Sequence, residues 1–378
     1  MIRSHTINRY FLIAGEASGD LHAAALIEQL LVINPQARIA GLGGDRMAAA
    51  GCRLYQDYRH MAFMGFAAVL RNMDAVRRNF RIAKQALLQE KPDVLILIDY
   101  PSFNLRMAAF CRRHLPQTKI YYYIPPKVWA WKRWRIHRIA RICDGILGIF
   151  PFEPGFYAQY GYSCTYVGNS TVERLLPLME RAKKSSNLSE KSYIAVLPGS
   201  RPGEVIHCLP RMLDAARRFP QYKIVVSAAP GLEDGFYAPY MQDGETLVRD
   251  TYTCLLNAKA AIVNSGTATL ETALLGCPQV AVYHLAWSGF IGLIRPFAQR
   301  WIFSIPYFTL VNIIAGKEVI KELVANDFTT EQVATELQHL LTDEAYTKNM
   351  LADYEHIHSV LGDKKASVTA AQIIAQPV

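Results

Sequence analysis

The chain has 378 residues, 51% of them hydrophobic and 19% charged, with a net charge of +9. At roughly 100–200 residues per domain that length predicts two domains. The positive balance favours partners carrying phosphate, and nucleic acid, anionic lipid headgroups and nucleotide diphosphates all qualify. The 7 cysteines are scattered singly with no CxxC pair, a pattern that buried free thiols in a reducing compartment explain better than a disulfide framework or a zinc site. The first apolar run, Tyr10–Ala14, meets Gly15 and Glu16 and is no signal peptide. A bilayer span takes about 20 apolar residues. The nearest candidate, Leu285–Phe308, is interrupted by Arg295, Pro296, Gln299 and Arg300. The expectation is a cytoplasmic protein that can touch a membrane as a peripheral one.

In chain order, Tyr10–Ala14 reads as a buried parallel strand, followed by a helical pattern over Leu21–Asn34. Met73–Gln89 is a second helix, Val94–Ile98 a second strand and Phe103–His114 a third helix. Lys119–Ile124 and Gly145–Phe150 are further strands. A polar segment rich in Lys and Ser, Glu180–Lys191, then precedes a second series. Its strands are Tyr193–Leu197, Lys223–Val226, Ala260–Val263 and Gln279–Tyr283, with helices such as Leu209–Arg217 and Thr269–Leu275 between them. The tail reads as helix over Ala345–Leu361 and Lys365–Ile374. The fold class is therefore α/β, two Rossmann-like domains over residues 1–170 and 171–342, with the helices from about 343 to 378 free to pack back on the first. Ligands in such folds lie at the carboxyl ends of the strands, here expected to face a central cleft.

The strand ends carry the chemistry. Ala14-Gly15-Glu16-Ala17-Ser18-Gly19-Asp20 leads into a helix whose first N–H groups suit an anion or a hydroxyl. A tight turn capped by Asp20 is the structural alternative. Gly41-Leu42-Gly43-Gly44 reads as a second glycine-rich loop. In the second half, Leu197-Pro198-Gly199-Ser200-Arg201 offers a glycine, a hydroxyl and a guanidinium fork to a phosphate. Ser265, Gly266 and Thr267 open a helix whose amides can hold a diphosphate, with Glu271 as a bidentate acceptor for ribose hydroxyls or, alternatively, a solvated helix carboxylate. Asp99 ends an apolar strand, where burial can raise a carboxylate's pKa toward that of a working base. Its alternative role is a helix cap.

Taken in order, GEASGD (Gly15–Asp20), MGF (Met64–Phe66), IDYPSFN (Ile98–Asn104), KVWAW (Lys127–Trp131), FPFEPGFY (Phe150–Tyr157), LPGSR (Leu197–Arg201), SGTATLE (Ser265–Glu271) and NIIAGKEVIKEL (Asn312–Leu323) resemble the lipid-A-disaccharide synthase family. The resemblance implies a glycosyltransferase B fold. It implies transfer from UDP-2,3-diacylglucosamine to 2,3-diacylglucosamine 1-phosphate with a β-1,6 linkage, inversion, no metal and no cofactor, the UDP-sugar being a substrate. Asp99 matches the family's base, and Arg201 is suited to the charge developing on the leaving diphosphate. Donor binding falls to Gly199, Ser200, Arg201, Ser265, Gly266, Thr267 and Glu271. Asn312, Lys317, Glu318 and Glu322 match a family motif near that site. The acceptor side falls to Gly15, Glu16, Ser18, Gly19, Asp20 and Asn104. The chain departs from the family's pattern at Ala68, where Glu is frequent, at Lys127, and at Asn169, where His is frequent.

Phe66, Val69, Leu70, Met73, Val76 and Phe80 recur at helical spacing among Arg71, Arg77, Arg78 and Arg81, a pattern for contact with an anionic lipid surface or for packing on the protein's own sheet. Trp129, Trp131 and Trp134, among Lys132, Arg133 and Arg135, suit headgroup level or a core cluster. Rival readings are a UDP-N-acetylglucosamine 2-epimerase, a nucleic-acid-binding protein, which lacks a recognisable module here, and a bilobed solute-binding protein. No nucleic-acid partner is expected, and a homodimer is left open.

Overall fold

The apolar runs become strands buried on both faces, as parallel sheets flanked by helices require. In Val94–Ile98 every side chain is fully buried, and each such aliphatic residue contributes about 1.5–3 kcal/mol of transfer free energy. The structure, a computed structural model, describes residues 7–61, 73–130, 133–184, 192–229, 231–284 and 306–376. The chain divides into two units, Met1–Glu173 with Asp363–Val378, and Arg174–Gly362.

The first unit contains β1 (Arg9–Ala14), α1 (Ala17–Ile33), β2 (Arg38–Gly43), α2 (Asp45–Ala49), β3 (Arg53–Asp57), α3 (Met73–Glu90), β4 (Val94–Ile98), α4 (Pro101–His114), β5 (Lys119–Tyr123), α5 (Arg135–Ile142), β6 (Gly145–Gly148), α6 (Glu153–Ala158) and β7 (Thr165–Tyr166). Its strands lie in the order β3-β2-β1-β4-β5-β6-β7 and pair in parallel. The order reverses between β1 and β4, where Ala14 lies opposite Ile98. Gly15 and Asp99 therefore leave the sheet side by side, at the switch point where such folds bind ligands.

α7 (Ser170–Lys184) leads to the second unit, which holds β8 (Tyr193–Leu197), α8 (Pro202–Ala216), β9 (Lys223–Ser227), β10 (Thr246–Val248), α9 (Thr251–Asn257), β11 (Ala260–Asn264), α10 (Thr267–Leu274), β12 (Gln279–Tyr283), α11 (Leu310–Ala315), β13 (Glu322–Val324), α12 (Thr330–Thr342) and α13 (Glu344–Leu361). The sheet order is β10-β9-β8-β11-β12-β13, again parallel, with its switch point between β8 and β11. Leu197 pairs with Val263, so the loops at Gly199 and Ser265 are also neighbours.

Several expectations are corrected. Gly41, Leu42 and Gly43 belong to β2 and form no loop. The division falls between Glu173 and Arg174 inside a continuous helix, about three residues from the expected boundary at 170/171. Of the tail, only α14 (Ala366–Ile374) belongs with the first unit, where the Ser367 amide donates to Glu173 at 2.9 Å and the Ser367 hydroxyl donates to the same carboxylate. α13 stays in the second unit because it buries Met350, Tyr354, Ile357 and Leu361 there, and Gln279 Nε2 donates to the Tyr354 hydroxyl at 3.3 Å. All 7 cysteines are free, and only Cys143 among them is less than fully buried.

Candidate functional site

At the end of β4 the backbone takes an uncommon course. Asp99 and Tyr100 have φ of 44° and 45°, and Ile124, at the end of β5, has φ of 59°. Left-handed conformations in residues with a Cβ cost on the order of 1–3 kcal/mol each and persist only where the surroundings enforce them. Here the Asp99 carbonyl accepts from the Tyr122 hydroxyl at 2.7 Å and from Asn104 Nδ2 at 2.7 Å, while its amide donates to the Ile124 carbonyl at 3.2 Å. The Tyr100 hydroxyl donates to the Met61 carbonyl at 2.7 Å. A Cβ at position 15 would stand 2.2 Å from the Tyr100 ring, so the glycine of GEASGD is required by the tyrosine of IDYPSFN.

The Asp99 side chain remains half-buried in this turn. Burial raises its pKa above the ordinary value, against the opposing pull of the Lys127 ammonium and the Tyr100 amide. A carboxylate so placed is an accessible base that costs little to protonate. Lys127 also acts electrostatically on Glu153, the first residue of α6, which is fully buried and accepts from the Ile149 amide at 2.8 Å, the Phe150 amide at 3.0 Å and the Trp129 indole at 3.2 Å. Desolvation outweighs those hydrogen bonds and pushes its carboxyl up to about 7.

In the second unit the strand ends are open. Gly199 follows β8 with φ of 115°, a conformation that favours glycine. The Ser200 and Arg201 amides both donate to the Glu204 carboxylate, at 2.9 and 3.2 Å, which fixes the start of α8. The Arg201 guanidinium is 58% exposed and bound only loosely to Glu204, at 3.3 Å. After β11, Gly266 and Thr267 are exposed, and a Cβ at position 266 would meet nothing within 4 Å. Its backbone is extended, so nothing local demands glycine there, and the open space fits a ligand. Glu271, one turn into α10, pairs with the Arg174 guanidinium, which also lies over the Tyr252 ring at 5.5 Å.

The structure redistributes other expected site residues. Gly15 and Gly19 are buried, and Glu16 and Ser18 keep accessible surface. Asp20 is buried and accepts from the amides of Gly44, Arg46 and Met47 at 2.7, 3.2 and 3.1 Å, so it caps α2 from within. Asn104 is fully buried, its Nδ2 donates to the Asp99 and Ile98 carbonyls at 2.7 and 3.1 Å, and its Oδ1 has no hydrogen-bond partner among the described residues. Asn312 donates to the Ile320 carbonyl and the Glu322 carboxylate and accepts from the Val319 and Ile320 amides, which exhausts its side chain. Glu322 also accepts from Phe308 and Thr309. These two residues shape the loop before α11 and offer no free group. Glu318 pairs with Lys321 at the surface, and Lys317 with Asp353. Phe66, Val69 and Leu70, with Ala68, lie outside the described residues, as does the side chain of Met73. Trp129 is core, edge-on to Phe150 and Phe152, while Trp134 is 63% exposed. Asn169 caps α7, accepting from the Thr171 amide at 3.0 Å.

Tyr122, Lys127 and Glu153 were assigned no role from sequence. Tyr122 is hidden in an apolar strand and carries no signal. Lys127 and Glu153 stand inside KVWAW and FPFEPGFY, where a charge amid aromatic residues is the available clue.

Two doubly wound parallel sheets, each with polar strand-end loops at its switch point, define the architecture of the glycosyltransferase B fold. Solved structures match it along nearly their whole length. The UDP-GlcNAc 2-epimerase of Neisseria meningitidis bound to UDP-GlcNAc aligns with a TM-score of 0.65 at 11% identity, covering 97% of this chain and 99% of the other. The glycotransferase of kitacinnamycin aligns at 0.63 and 11%, covering 98% and 99%. Such identities show the fold alone. A family model described as lipid-A-disaccharide synthetase matches residues 10–376, and the chain belongs to that family. Among curated relatives, the lipid-A-disaccharide synthase of Geobacter sulfurreducens is 34% identical over 98% of both chains. That of Anaeromyxobacter sp. (strain K) is 35% identical over 97% of this chain and 96% of its own.

Proposed function

We propose that the protein transfers a 2,3-diacylglucosamine unit from its UDP donor to 2,3-diacylglucosamine 1-phosphate, forming the β-1,6-linked disaccharide 1-phosphate and UDP, with inversion and without a metal or other cofactor. The acceptor 6-hydroxyl attacks the anomeric carbon, its proton passes to Asp99, and the bond to the diphosphate breaks with its electron pair leaving on UDP. One displacement needs one base. The observation that carries this reading is the half-buried Asp99, held in a left-handed turn at the end of β4 with its pKa raised by burial. Gly199, Ser200, Arg201, Ser265, Gly266, Thr267 and Glu271 take the uridine nucleotide. The exposed Arg201 guanidinium and the amides opening α10 meet the charge that develops on the leaving diphosphate.

Both substrates carry acyl chains, so the protein works as a peripheral protein on the cytoplasmic face of the inner membrane, against anionic lipid. No helix among the described residues is long and apolar enough to cross a membrane. The epimerase reading shares the fold, but the family match and the relatives at 34% identity over the full length favour the synthase.

The test is UDP release from the two acylated glucosamines, with and without a chelator. Release that requires both lipids and ignores the chelator supports the proposal. Sugar isomers formed from UDP-GlcNAc alone would replace it with an epimerase.

A further inference from the structure

A cavity of about 640 Å³ lies on the helical face of the first unit, where α4 packs beside α3 and α5. Arg77, Arg81 and Lys84 of α3, Arg106 and Arg113 of α4 and Arg138 of α5 line it, and no carboxylate does. On α3 and α4 these positions recur at three-, four- and seven-residue steps, so each helix presents one basic stripe to the same space. The walls between the charges are aromatic. Arg106 lies over the Phe80 ring at 5.5 Å and Lys84 over the Phe110 ring at 5.1 Å.

Arg77 has a long, water-exposed pairing to Asp74 at 3.5 Å. Among the described residues the other five cations have no carboxylate partner. Like charges gathered around one hollow repel each other, and long exposed side chains are free to turn away, so convergence of this kind points to an anion that offsets it. Guanidinium forks match the oxygens of a phosphate ester. The volume falls within the roughly 300–1,000 Å³ of ordinary ligand sites. Arg106 and Arg138 also line a second, smaller cavity with Trp134, an exposed indole under the Arg135 guanidinium at 5.6 Å. Aromatic belts at membrane interfaces consist of such rings.

We propose that this cavity, formed by α3, α4 and α5, binds the phosphate of an anionic phospholipid headgroup. A phosphate ester is the chemistry the cations select, and the aromatic walls with the exposed indole beside them select a lipid as its source. The proposal rests on the reading of the protein as a peripheral membrane enzyme and adds the residues that grip the surface.

The test uses the full chain with vesicles of phosphatidylcholine, with and without phosphatidylglycerol. Substituting Arg81→Ala, Lys84→Ala and Arg113→Ala together should lower partition onto the anionic vesicles by roughly 100-fold, at about fivefold per cation. The matched control, Arg38→Ala, Lys223→Ala and Lys348→Ala, removes the same charge from exposed positions elsewhere and should lower it less than about tenfold. All six side chains are exposed, and an unchanged melting temperature confirms that each variant folds. Equal losses in the two variants would overturn the site in favour of diffuse charge. Binding of glycerol 3-phosphate that the triple variant loses, with no partition of the wild type onto the anionic vesicles, would overturn the lipid in favour of a soluble phosphate ester. UDP release from short-chain substrates, followed on the same proteins, separates the two readings. Its absence in the wild type sinks the transferase assignment and leaves the vesicle comparison standing.

Discussion

The two sheets have the same strand logic but end differently. In the first unit the switch point is half-buried and tightly determined. Asp99 sits in a strained turn whose carbonyl is tied by Tyr122 and Asn104, and Gly15 leaves room for nothing but the Tyr100 ring. In the second, Gly199 and Gly266 open into exposed loops, and Arg201 stands mostly in water. The contrast separates two tasks. A base must be desolvated and pre-positioned before substrate arrives, whereas a nucleotide site can stay open because its ligand supplies the missing atoms.

The largest effect that could break this contrast comes from Asp99→Asn. Turnover should fall by about 10²–10⁴ with UDP affinity retained, since proton transfer is lost and the open site is untouched. Wild-type turnover would remove Asp99 from the chemistry. Arg201→Ala should strike the opposite side, lowering kcat/KM by about 10²–10³ and weakening UDP binding in a calorimetric titration. Unchanged UDP affinity would show that the second unit does not hold the diphosphate there.

Desolvation in the first unit can be measured at Glu153, whose carboxyl is pushed up to about 7 by burial. A group with a raised folded pKa contributes stability fully below its unfolded pKa, and that contribution is lost as the pH rises through the folded value. Wild-type stability should therefore decline between about pH 4.5 and pH 7 on this account. Glu153→Gln has no such proton, so its stability relative to wild type should rise by about 3 kcal/mol between pH 4 and pH 8, read from denaturant midpoints. A flat difference would show that the site is wet.

Tyr122→Phe removes one hydroxyl from the Asp99 carbonyl. It should destabilise the protein by about 1 kcal/mol and lower kcat about tenfold with KM near wild type. A stability loss without a kcat change would make Tyr122 structural only. The smallest effect belongs to Lys127→Met. Asp99 must be ionised to accept a proton, so activity falls as the pH drops through its raised pKa. Lys127 pulls that pKa down, and removing it should move the acid limb of kcat/KM to higher pH. A limb that stays in place would mean that the ammonium does not act on Asp99.

Much of this was legible before any coordinates. The strands Val94–Ile98, Tyr193–Leu197 and Gln279–Tyr283 are found with the bounds read from their apolar runs, because strands buried on both faces advertise themselves as continuous hydrophobic stretches. β2 was missed because Gly41 and Gly43 read as turn residues, and the edge strands β3, β7, β10 and β13 are too short or too polar to stand out. Helix α1 starts earlier than its apolar periodicity does, since its first turn, Ala17-Ser18-Gly19-Asp20, holds the small polar residues taken for a loop, and α8 starts at Pro202, ahead of the expected Leu209.

Sequence by itself determined the alternation of strands and helices, the glycine-rich exits from β8 and β11 and the ordered motifs that place the chain in its family. It could do so because periodicity and motif order are properties of neighbouring residues. Tertiary structure alone decided which polar side chains are spent inside the fold. Asp20, Asn312 and Glu322 look like ligands in a motif and are instead held largely by backbone groups, in the case of Asp20 by amides 24 to 27 residues away. Hydrogen bonds must be satisfied wherever burial removes water, and the partner that satisfies them is fixed by which strands lie side by side.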